Sequence, residues 1–367
     1  MWAAGAALVG AVYLAALGRL RTQEGDFGHL WVAGRTLRVE GGAALYDPAV
    51  HRAHLEVGPD APPGRWDPRN DALGAVFYPP PFAALVLPLG VLTLPVARVV
   101  AGVLALVGAA ALVPVLGRAG VGGPFGARAL LVLLFGPFFV AFVLGQPAAL
   151  WALLFVGAAA WERVGRPGAA GFALGCLALK PSLALAALPW LLFRRDPVQL
   201  AAAAGAAALV AVGTLPLVGV DAWEAFFARL PALAGLPGRD DYPLHLQHGL
   251  AALGQRLGLS RLLLPAVLIL VFGLRCRGRA QPADAPALVG LGLLCAPHLH
   301  AYDLLPLALP VGVALGAGGW RRALGAAALL AGSAVLGASP LAPALTVLGV
   351  PLCLSLPGGP PRASPRG

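Results

Sequence analysis

The sequence predicts an all-α, polytopic transmembrane protein of about ten to twelve helices, with one long extracytoplasmic loop after the first. Three observations carry this. Hydrophobic residues make up 59% of the 367 and charged residues only 11%, against roughly 25% charged in soluble domains, and the mean hydropathy is +0.81. A water-facing globule this apolar could not cover itself with polar groups, so most of its surface must meet lipid. Finally, the apolar residues fall in runs, and the net charge of +10 lies in short basic clusters between them, as at membrane flanks facing anionic headgroups. Basic residues so placed argue for membrane lipid as a partner and against nucleic acid.

Residues 1–367 read as a single integral membrane domain. The first run, 2–20, has no positive region before it and reads as a transmembrane helix rather than a cleaved leader. Runs at 80–95 and 97–117 follow, divided by Pro95 and Arg98, then 128–144 and 147–162, divided by Gly145-Gln146-Pro147. The run 168–193 contains Lys180-Pro181 and is either one kinked helix or a hairpin bent at that pair. Further runs are 198–219, 260–275, 285–299, 303–318, 322–338 and 340–357. Several are shorter than the ~20 residues of an upright crossing, which is tolerated in helices packed against protein or lining a cavity.

Two stretches are polar. The loop 21–79 carries eight of the sixteen acids, and an uncharged N-terminus starting in the cytoplasm puts it outside. The second, 221–259, opens with DAWEAFFARLPAL, whose aromatics share one helical face and fit an interfacial helix; His245 and His248 further along read as solvated loop residues or as ligands. Cys176, Cys276, Cys295 and Cys353 lie in or beside apolar runs and read as packing residues rather than disulfides or metal ligands. No GxxxxGK[ST] or strand-borne GxGxxG is present, so neither a nucleotide-sugar nor an ATP site is supported and no cofactor is called for. A sugar donor would need another handle, such as a lipid phosphate.

Few ionisable residues remain for chemistry. Asp26 leaves the first helix by about six residues, at the membrane boundary. It is either an N-cap of the amphipathic stretch that follows, its oxygen accepting backbone N–H bonds, or a general base able to take a proton from an acceptor hydroxyl. Lys180, the only lysine, lies deep in an apolar stretch, where an ammonium costs at least ~2.5 kcal/mol unless paired or lining a cavity. It suits a phosphate as a compact charge, or pairs with an acid on a neighbouring helix. His298, His300 and Asp303 sit in a segment bracketed by Pro297 and Pro306. The H-x-H pair suggests metal, but without a third histidine no metal is assigned. Phosphate or hydroxyl binding with Asp303 as orienter, and polar packing at a helix end, stay open. Gln146 caps the next helix or bonds a ligand, and Tyr78, before a Pro-rich helix start, reads most simply as an interfacial anchor.

Four segments in order then resemble glycosyltransferase family 87: GDFGHLWVAGRTLRVEGGAALYDP, FYPPPFAALVLPLGVLTLP, the block from Gly145 to Arg195 that holds GQ, RVGR and KP, and APHLHAYDLLPL. Each alone is weak; the ordered set spans residues 24 to 310. The late segment begins Ala-Pro where Ser-Pro is usual, and residue 29 is His where an aromatic is common. The resemblance implies a GT-C fold in the plasma membrane with an extracytoplasmic active site. It implies transfer of mannose or another hexose from a polyprenyl-phosphate donor to a lipid-linked or cell-surface glycan, Asp26 being the catalytic carboxylate. Lys180 falls on the family's lysine, and His298 and His300 on its late histidine segment; Arg35, Gln146, Tyr78 and Asp303, which lie in the matching segments, are expected to bind substrate as well. A transporter or flippase of lipid-linked sugars is the alternative. It would share the broken helices but has no need of a loop carboxylate beside the first span.

Overall fold

The computed structural model describes residues 2–20, 26–56, 78–235, 247–275 and 280–317. It is all-helical, 83% helix, without strands among the described residues; one isolated backbone bridge joins Gln247 to His300. The expected runs 322–338 and 340–357, residues 57–77 of the first loop, and His245 lie outside the described residues.

Helix α1 (Trp2–Leu20) leads to α2 (Phe27–Val39), a 3₁₀ turn at Gly42–Ala44 and α3 (Pro48–Glu56), so the described part of the first loop is itself helical. Then come α4 (Pro80–Gly90) and α5 (Leu94–Arg118). The expected run 128–144 is two helices, α6 (Phe125–Leu133) and α7 (Gly136–Leu144), bent by 56°. Pro137 causes the break: its ring cannot continue the preceding helix but fits a first turn. Next are α8 (Ala148–Arg163), α9 (Pro167–Gly175) with a 3₁₀ turn at Cys176–Leu179, α10 (Pro181–Arg194), α11 (Pro197–Gly213) and α12 (Leu215–Gly235). Last come α13 (Leu250–Arg256), α14 (Leu263–Arg275), α15 (Ala285–Cys295), a 3₁₀ stretch at Ala301–Leu307 and α16 (Ala308–Ala317).

Among the described residues, α5 alone is long and apolar enough to cross a membrane by itself, and up to three spans result if each bent pair counts as one. The other apolar helices are of 10–17 residues. Large apolar side chains face outward along many of them, among them Leu8, Leu104, Val107, Leu209 and Leu270. That is the surface of a membrane-associated protein and not of a water-soluble one.

The helices run back and forth between two ends of a bundle. Gln146 starts α8 at one end and Glu162 finishes it at the other, roughly 24 Å away at 1.5 Å per residue. At Glu162 one carboxylate oxygen accepts from Trp190 Nε1 (2.9 Å), Arg194 Nε (2.9 Å) and Gln199 Nε2 (2.8 Å). Both Arg166, which begins α9, and Arg194, which ends α10, therefore lie at that end. The stretch 168–193 is thus a hairpin with Lys180 at its tip. The rising arm fits closely against α11: a Cβ at Gly171 would stand 2.0 Å from the Gln199 carbonyl oxygen, and one at Gly175 2.2 Å from that of Ala203. Helix α4 does not reach the far end, since Tyr78 before it meets Gln146 and Leu92 after it accepts from Trp31 of α2 (3.0 Å).

Helix α12 turns 94° from α11 and breaks at Gly219, whose φ of 76° favours glycine. It carries Trp223 stacked on exposed Phe227 (5.6 Å between centroids), while Phe226 is buried against Tyr46 (5.8 Å). Its aromatics are therefore split between an inward side, at Phe226, and an outward side, at Phe227.

Candidate active site

The site forms at the tip of the hairpin. Lys180 precedes Pro181 in extended conformation (φ −137°, ψ 97°), so its side chain leaves the tip rather than a helix flank. It is 6% exposed and pairs with the carboxylate of Asp303, which is 0% exposed. The Tyr302 and Tyr78 rings flank the ammonium, at 4.9 and 5.6 Å from their centroids, a favourable cation–π setting. The pairing with a neighbouring acid, one of the two readings of Lys180, is therefore present. It uses one of three N–H donors.

Asp303 is held in turn. Its second oxygen accepts the His300 backbone N–H (3.2 Å). The segment before it is pinned by Gln247, whose side-chain oxygen accepts from Leu299 N (2.9 Å) and whose amide nitrogen lies 3.2 Å from each ring nitrogen of His300. The His248 N–H donates to the Leu299 carbonyl (2.7 Å). His298 meets His300 edge-on (4.6 Å), and His300 stacks on Tyr302 (5.2 Å). A row of rings therefore runs from the half-buried histidines to the ammonium. The carboxylate of Asp303 bonds to Lys180 and to the His300 backbone N–H rather than to a histidine ring.

From the other side come Tyr78, Gln146 and Asp26. Tyr78 is set by Pro79–Pro81, by stacking on Phe82 (3.9 Å) and by Tyr46, whose hydroxyl donates to the Tyr78 carbonyl (2.8 Å). Its own hydroxyl donates to Gln146 Oε1 (2.9 Å). Gln146 follows Gly145, a left-handed residue (φ 73°) closing α7, and its amide donates to Asp26 Oδ2 (3.4 Å). Tyr78 is thus part of the polar network and not merely an anchor. Asp26 stands at the N-cap position of α2 but makes no side-chain cap bond. The capping role is overturned: the carboxylate turns to Gln146 instead of to the helix N–H groups. Burial raises its pKa above the ordinary carboxylate value. The charge on His29, the Gln146 hydrogen bond and the charge on Lys180 pull it back, and Asp303 pushes it up further. Asp26 and the Lys180–Asp303 pair thus stand within electrostatic reach.

One expected site residue stands apart. Arg35 lies nine residues beyond Asp26 on α2, roughly 13 Å along the axis, where its charge bears on His54. Three residues that join or support the site were not singled out from the sequence. Gln247 and Tyr302 carry no pattern that distinguishes them from loop and core residues. Arg98 was read as a divider between runs, yet it is buried inside α5; a charge within so long an apolar stretch was the available signal. Among the described residues no three His, Cys, Asp or Glu side chains gather as metal ligands.

The family model described as glycosyltransferase family 87 matches residues 77–297, more than half of the chain. The chain belongs to glycosyltransferase family 87. Neither a curated protein nor a solved structure matches it. The matched stretch of this glycosyltransferase holds Tyr78, Gln146, Lys180 and Gln247, whereas Asp26, His298, His300 and Asp303 lie beyond its two ends. The fold brings both sets to one place.

Proposed function

We propose that this family 87 glycosyltransferase moves a sugar, mannose or another hexose, from a polyprenyl-phosphate donor to a lipid-linked or cell-surface glycan, inverting C1. The observation that carries the reading is the convergence of a half-buried carboxylate, Asp26, and a buried ammonium, Lys180, joined through Gln146 and Tyr78. The two charges suit the two ends of an in-line displacement. Asp26 takes the proton of the acceptor hydroxyl as its oxygen attacks C1; the C1–O bond to phosphate breaks on the opposite face, and its electron pair stays on the phosphate oxygen. A raised pKa makes Asp26 a stronger base than an ordinary carboxylate.

Lys180 meets the charge growing on the phosphate with its remaining N–H donors, and Asp303 holds it in place. Such preorganised electrostatics is often the largest catalytic contribution. His298 and His300, half-buried beside Tyr302, offer further donors to phosphate or sugar hydroxyls. Arg35 reaches substrate where the acceptor extends along α2.

Orientation follows from charge. Arg163, Arg166, Arg194 and Arg195 gather at the end opposite Asp26 and Lys180, which supports a cytoplasmic placing of that end and an extracytoplasmic site in a multi-pass protein of the plasma membrane. The test is transfer of radiolabel from polyprenyl-phosphate mannose in proteoliposomes. Covalent label in a glycan acceptor is expected; movement of the donor between leaflets without transfer contradicts the reading.

A further inference from the structure

We propose that Arg98 is a positioning residue that holds the Asp26–Gln146 hydrogen bond in register without itself touching substrate. The inference rests on Asp26 being the base. Arg98 is 1% exposed, and its Nη2 donates to the carbonyls of Phe142 (2.8 Å) and Val143. These belong to the last turn of α7, where carbonyls lack helical partners and the dipole favours a cation. The guanidinium carbon also lies 5.3 Å from the centroid of the Phe27 ring.

Gly145 closes the wedge. A Cβ there would stand 2.7 Å from Phe27 Cβ and 3.0 Å from Arg98 Nη1, so Phe27 and the end of α7 are both pressed against the one guanidinium. Asp26 directly precedes Phe27, and Gln146 directly follows Gly145. The bond between them, at 3.4 Å, is close to the outer limit of a hydrogen bond, and a slip of a few tenths of an ångström loses it. Arg98 Nε and Nη1 find no partner among the described residues. Buried donors are seldom left so, and a guanidinium kept here at that cost holds the start of α2 and the end of α7 together.

The charges bearing on Asp26 are those of His29 on its own helix, Lys180 at the hairpin tip and Asp303 from the late segment, with Gln146 bonding to it. Arg98 therefore acts through contact. Since the Gln146 bond holds the Asp26 pKa down, weakening it must move the acid limb of turnover upward in pH.

The experiment uses the full chain in proteoliposomes with polyprenyl-phosphate mannose and compares Arg98→Met, Gln146→Leu and the double variant. Each single variant is expected to lower kcat about tenfold, leave donor KM within about twofold and shift the acid limb to higher pH. The double variant should go no further than Gln146→Leu, as for two changes acting on one contact. An unmoved acid limb in Arg98→Met, or effects that add, overturns the proposal. Where Arg98→Met fails to fold, Phe27→Leu removes the ring from the guanidinium while keeping an apolar side chain, and the same two outcomes decide. Asp26→Asn separates the failures. If it retains turnover, the base assignment falls; if it is dead while the other effects add, only the role of Arg98 falls.

Discussion

Lys180 is buried and Asp26 half-buried, and each is held by a neighbour whose pairing with it the sequence did not show. Burial is the main influence on Asp26 and raises its pKa. A base must be deprotonated, so turnover is lost as pH falls through that raised value. The acid limb of kcat is expected above the ordinary carboxylate value of roughly 4, a displacement that a pH–rate profile measures. For Lys180, removing one partner leaves the other charge buried. Lys180→Met and Asp303→Asn should each destabilise the fold by about 3–5 kcal/mol. The neutral pair of both changes should regain most of the melting temperature in detergent, while donor binding stays lost.

The chemistry-bearing residue types were legible: a lone ammonium in an apolar run and a carboxylate just outside the first helix. Their partners were not. Nothing local says that residue 303 returns to residue 180, or that Asp26 turns from its own helix toward Gln146, because both contacts are set by tertiary packing.

At the scale of elements, the decisive one is the hairpin 168–193. The sequence left it open between a kinked helix and a bend, because Lys180-Pro181 permits both. The ends decide, since Glu162 gathers Trp190, Arg194 and Gln199 at one place. Its glycines are a matter of clearance. Gly171→Ala must push α9 from α11, because its Cβ would meet the Gln199 carbonyl oxygen. A loss of about 1–3 kcal/mol is expected, read as a lower melting temperature, with a fall in donor affinity as the tip moves. Gly10, with open space around it, serves as control, and Gly10→Ala should do neither. The break of 128–144 was not read from the sequence: Gly136-Pro137 was the available signal, but the unbroken hydropathy on either side concealed it.

The whole molecule has a polar end that carries the site and an arginine-rich end that does not. Composition alone made it a membrane protein, since 11% charge covers no water-soluble surface of this size. How many helices cross was less legible, because short, proline-broken helices buried in protein resemble runs cut off by loops. Orientation is testable in a cysteine-free variant carrying one new cysteine. Ala43→Cys, exposed at the site end, should react with a membrane-impermeant maleimide on intact cells. Arg195→Cys, exposed at the other end, should react only once the membrane is opened. The reverse pattern would place the site in the cytoplasm. The most direct measurement of all pairs donor binding with transfer in the same proteoliposomes. Asp26→Asn should bind polyprenyl-phosphate mannose as the wild type does yet transfer it at least about 100-fold more slowly, whereas Lys180→Met should lose the binding itself. Undiminished transfer by Asp26→Asn, or full donor affinity in Lys180→Met, would contradict the division of labour between the two charges.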